Sequence, residues 1–103
     1  MRDYLRFFEG LIKGKGFRYL LEVVEAIEQD SEKLFKLSMA FKDVARREGK
    51  TTKGIESSIW YFVQGNFLGY KNRANLRRIF GQGYKPPKYG SFLIDLIVKI
   101  LGQ

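Results

Sequence analysis

Lys53, Glu56 and Ser57 are spaced i, i+3 and i+4, so on a helix they share one face. With Thr52 they place an ammonium donor, a carboxylate acceptor and two hydroxyls together near one helix start. Such a set suits the edges of base pairs. A carboxylate accepts from cytosine N4, and a lysine reaches guanine or a phosphate. The plainer role for Glu56 is to complement the positive end of the helix, and for the threonines to cap it. Cations suited to a sugar–phosphate backbone flank the set: Arg46, Arg47 and Lys50 before it, then Lys71, Arg73, Arg77, Arg78, Lys85 and Lys88 after it. Thr51 adds a hydroxyl donor. Arg73, Arg77 and Arg78 fall at i, i+4 and i+5, so much of this charge shares a helix face. Trp60 lies on the same outward stripe, either as a contact for a partner or buried under the Pro86-Pro87 loop.

Other chemistry finds little support. The 103 residues contain no His and no Cys, which removes the commonest general base and the thiolate ligands. Glu22, Glu25, Glu28 and Glu32 are expected on a solvated face with no pocket around them. Gly14-Lys15-Gly16 lacks the spacing and the Lys-Ser/Thr ending of a phosphate loop. No catalytic residue, metal, cofactor or small-molecule ligand is therefore expected.

The elements that must hold these residues read as helices. Residues 2–13 are expected as an amphipathic extension with Tyr4, Leu5, Phe8, Leu11 and Ile12 on one side. Residues 17–29 give a clear stripe of Phe17, Leu20, Leu21, Val24 and Ile27. Asp30-Ser31 should end it and cap a helix over 32–39 with Leu34, Phe35 and Met39 inward. Residues 41–67 read as a helix-turn-helix. A helix of about 40–48 carries Val44 and Ala45 inward, Gly49 makes the turn, and a helix of about 52–67 buries Ile55, Ile59, Phe62 and Val63. A basic helix over 73–80, a Pro86-Pro87 loop and a Ser91-capped helix over 92–101 complete an all-α, single domain of five to six helices.

The net charge is +8. Residues 1–39 are neutral overall, so the whole excess lies in residues 40–103, with the helix pair. Such asymmetry fits a polyanionic partner rather than a merely soluble surface. No apolar run is long enough to span a bilayer, and Asp3, Arg6 and Glu9 interrupt any leader-like segment. A cytoplasmic, nucleoid-associated protein is expected, with no membrane partner.

The order of residues also resembles a family. From about Gly16 onward the chain is similar to the C-terminal DNA-binding effector domain of the sporulation master response regulator of spore-forming Firmicutes. Gly16-Phe-Arg-Tyr-Leu20, Asp43-Val-Ala-Arg-Arg47, Thr51, Ile55-Glu56, Ile59, Ile79-Phe80-Gly81, and Pro87 before a Ser-capped helix with Phe92 match in order. The resemblance implies an all-helical domain that binds a short DNA box, often in tandem copies, and contacts RNA polymerase. About fifteen residues precede the match, so a stand-alone domain without the family's receiver is expected. Where the family has arginines on either side of the residue matching Glu56, this chain has Gly54 and Ser57.

The function expected is sequence-specific binding of double-stranded DNA and regulation of transcription. Thr52, Lys53, Glu56 and Ser57 would read bases. Arg46, Arg47, Lys50, Thr51, Arg73, Arg77, Arg78, Lys85 and Lys88 would hold the backbone. Segments 4–12 and 92–101 are more apolar than so small a fold requires, which points to a homodimer. The alternative is a protein-interaction module of the same fold that modulates RNA polymerase or a full-length family member.

Overall fold

The computed structural model describes residues 8–11 and 14–102, and the described residues are all-α with no strand. Helix α1 spans Lys15–Gln29 and buries Tyr19, Leu20, Val23, Val24, Ala26 and Ile27. The buried stripe is rotated from the expected one. Phe17 and Leu21 are only half-buried, while Tyr19 and Val23 take inner positions.

The 32–39 helix is not formed. Asp30 accepts the Glu32 amide through its side chain at 3.2 Å and starts a 3-10 turn over Ser31–Phe35. Lys36, at φ −137°, then redirects the chain into α2, Leu37–Glu48. A three-residue repeat cannot sustain a 3.6-residue stripe. Phe35, at the end of this turn, therefore stands 80% exposed, while Met39 lies off the buried Ala40-Phe41-Val44-Ala45 stripe of α2 and is exposed too, the reverse of the inward placement expected for both.

Helix α2 buries Ala40, Phe41, Val44 and Ala45 and packs on α1. It stops at Gly49, which takes the left-handed conformation at φ 66°. The Lys50 amide closes this end on the Ala45 carbonyl at 2.9 Å. Helix α3 then runs Thr52–Phe67. Thr51 Oγ1 accepts from the Gly54 amide at 3.0 Å, so Thr51 is the cap and Thr52 the first helical residue. Ile55, Ile59, Phe62 and Val63 are buried as expected.

The remaining elements are a 3-10 turn at Tyr70–Asn72, helix α4 at Arg73–Phe80 and helix α5 at Tyr89–Leu101. Lys88, not Ser91, occupies the position before α5, and no side chain caps it. Lys88 itself is extended, at φ −57° and ψ 155°, and the helix begins directly after it, leaving Ser91 exposed in the first turn. The expected 2–13 helix falls largely outside the described residues; Phe8–Leu11 form a turn closed by the Leu11 amide on the Phe8 carbonyl.

Among the described residues two compact units emerge, one of residues 14–62 and one of residues 8–11 with 63–102, and α3 contributes residues to each. Within the first, Gly16 allows a close approach to α3. A Cβ there would lie 2.1 Å from the Ser58 carbonyl oxygen and 2.8 Å from the Phe62 Cβ. Within the second, Phe92 meets Phe67, Phe80 and Tyr84 in tilted ring contacts of 5.6–6.3 Å between centroids. Phe92, Leu93, Leu96, Ile97 and Ile100 of α5 are buried within the chain, so most of the apolar surplus assigned to 92–101 is already covered.

Candidate nucleic-acid interface

Helix α3 is two-sided by periodicity alone. Its buried arc holds Ile55, Ile59, Phe62, Val63, Asn66 and Phe67. Lys53, Glu56, Ser57, Tyr61 and Gln64 are exposed on the other arc, and Thr52 is half-buried. The polar stripe is thus open to solvent from the first turn onward. Ser58 turns back and donates to the Gly54 carbonyl at 2.9 Å, so its hydroxyl is spent within the helix. Trp60 is half-buried, while Pro86 and Pro87 are exposed. Tyr61, four residues past Ser57 on the same row, is 81% exposed. Sequence reasoning passed over it, although the row of 53, 57 and 61 is legible from spacing.

The cations differ in how free they are. Beside the α2–α3 turn, Lys15, Lys50 and Thr51 line an open depression of about 510 Å³ together with Tyr19, Gly49, Gly54 and Ser58. Lys15 comes from the start of α1, more than thirty residues away in sequence, and only folding brings it to this turn. Arg46 is largely exposed, with the Asp43 carboxylate 4.0 Å away. Arg47 instead pairs with Glu22 at 3.3 Å, and Arg18 with Glu48 at 3.1 Å. Lys33 pairs closely with Asp43 and holds the Asp43 carboxyl below its ordinary pKa, against the opposing effect of burial.

Glu22 is not on a solvated face. Its side chain is 13% exposed, and its Oε2 is buried without a donor. Burial raises its pKa first. The Glu48 carboxyl raises it further as a hydrogen-bond partner and a like charge, while Arg47 pulls it down. Glu25, Glu28 and Glu32 are exposed.

In the second unit Arg73, Arg77, Arg78, Lys71, Lys85 and Lys88 are all exposed. Arg78 donates to the Glu9 carbonyl at 3.3 Å. Arg73 lies over the Tyr70 ring, 5.4 Å from its centroid. Asn72 and Asn75, neither singled out by sequence, fasten the end of α3. Asn72 Nδ2 reaches the carbonyls of Leu68 (2.6 Å), Gly65 (3.2 Å) and Gln64 (3.4 Å), and Asn75 Nδ2 that of Asn66 (2.7 Å). Tyr84 anchors the loop after α4. Its ring stacks on Phe80 at 4.2 Å and its hydroxyl donates to Asp95 at 2.7 Å. Burial and then Asp95 raise the Tyr84 pKa.

Among the described residues no group of three or more His, Cys, Asp or Glu is placed to hold a metal ion, and no helix is long and apolar enough to cross a membrane. No protein-family model, curated protein or solved structure matches this chain.

Proposed function

We propose that this protein binds double-stranded DNA sequence-specifically and regulates transcription, with α2 and α3 acting as a helix-turn-helix. The observation that carries the proposal is the open polar stripe at the start of α3, with Lys53, Glu56 and Ser57 exposed beyond a Thr51-capped end. A helix presented this way offers its first turns to base edges in the major groove. Thr52, Lys53, Glu56 and Ser57 then read bases. Lys50, Thr51 and Arg46 hold phosphates beside them, and Lys15 joins this group. Arg47 takes a smaller part, because Glu22 already engages it. Arg73, Arg77, Arg78, Lys85 and Lys88 supply further phosphate contacts, and a second copy would occupy a paired half-site. The protein works in the cytoplasm, on the nucleoid, and meets RNA polymerase there.

Selection of binding sequences from a random duplex pool tests the assignment. Lys53→Ala changes which sequences are selected, whereas Arg46→Ala weakens all of them alike. Selection of the same sequences by Lys53→Ala and the parent would overturn the base-reading role.

A protein-interaction module is the second reading, favoured by the exposed Tyr61 ring beside half-buried Trp60. No retention of duplex DNA even at low salt would select it.

A further inference from the structure

Between Gly69 and Pro86 the chain encloses an open cleft of about 670 Å³, within the size range of small-ligand sites. Arg73, Arg77 and Lys85 give its lining three cations, and no lining residue is acidic. The acid bonded to the lining residue Tyr84 is Asp95, which its hydroxyl engages. On the rim Tyr70 is 85% exposed. The Arg73 guanidinium covers one face of that ring, and a ring so exposed keeps its other face open. Gln82 brings an amide with both donors and an acceptor. Gly69 and Gly83 present bare backbone to which a ligand can come close.

Phosphate alone would use the cations and leave the ring idle. An apolar ligand would strand the cations. A planar base joined to a phosphate uses every one of these groups. We propose that this cleft is a nucleotide-binding site, with phosphate held by Arg73, Arg77 and Lys85, the base stacked on Tyr70 and its edge met by Gln82. Cationic grooves with aromatic platforms take unpaired nucleotides in this way. Bases inside a duplex have both faces covered, so the occupant is a free nucleotide or an unpaired strand. The site does not depend on α3 reading DNA.

Calorimetric titration of the full chain at low salt tests it, with ADP, adenosine, pyrophosphate and a short 5′-phosphorylated single strand as probes. ADP or the single strand binds at least about tenfold tighter than pyrophosphate or adenosine, and the tighter of the two identifies the source. Tyr70→Ala costs roughly tenfold for the nucleotide and leaves pyrophosphate unchanged, while Tyr70→Phe keeps affinity. Arg77→Ala weakens nucleotide and pyrophosphate together. Pyrophosphate matching ADP, indifference to Tyr70→Ala, or no binding by either nucleotide probe would each overturn the proposal. None of these outcomes touches the duplex-selection result at Lys53, so the two claims fail separately.

Discussion

At the scale of single residues, Glu22 shows how burial changes a side chain's role. Its spacing with Glu25 and Glu28 marks it as a surface carboxylate, yet it packs against Glu48 and Arg47. Its pKa is raised, so the fold binds its proton more tightly than the unfolded chain does. That contribution is complete below the ordinary carboxylate pKa and is lost as pH rises through the raised value. Glu22→Gln removes the titration while keeping the shape. The variant's melting temperature relative to the parent is therefore expected to climb as pH rises from the ordinary carboxylate range through the raised Glu22 value, read by circular dichroism. A constant difference across that range would show that Glu22 titrates normally. Asp43 runs the opposite way: Lys33 lowers its pKa, so its contribution is present at neutral pH and fades as pH falls through the lowered value.

At the scale of elements, the approach of α1 to α3 depends on Gly16. Gly16→Ala sets a methyl 2.1 Å from a backbone carbonyl oxygen, which cannot swing aside as a side chain end does. Overpacking of this kind costs about 1–3 kcal/mol, and urea denaturation should show a lower midpoint. An unchanged midpoint would mean that the helices sit farther apart. The far end of α3 has a different device. Asn72 and Asn75 supply the amide donors that its last carbonyls lack. Both asparagines lie beyond the helix in sequence, interleaved with Lys71, Arg73, Arg77 and Arg78. Their capping role appears only once the chain turns back at Gly69.

At the scale of the whole molecule, the +8 charge sets how binding would respond to salt. Each phosphate neutralised steepens the log–log salt dependence by about 0.9. Lys50 lies in one compact unit and Lys88 in the other. If one duplex engages both, Lys50→Ala and Lys88→Ala should each reduce the slope by about 0.9, and the double variant by about twice that. Gel-shift titrations across a salt series measure this. A slope indifferent to Lys88→Ala would confine duplex contact to the unit that contains Lys50.

The amino-acid sequence by itself determined the helical class, the span of α3, its capped start and which of its sides is polar. These follow from short-range periodicity and capping, where neighbours within four residues carry the information. Tertiary structure decided the rest. It turned Phe35 and Met39 outward, moved the start of α5 ahead of Ser91, withdrew Arg47 into an ion pair with Glu22, brought Lys15 to the α2–α3 turn, and gathered Tyr70, Arg73, Arg77 and Lys85 around one cleft. Each of these depends on where a turn sends the chain or on a partner far away in sequence, and side-chain spacing within a single element carries no record of either.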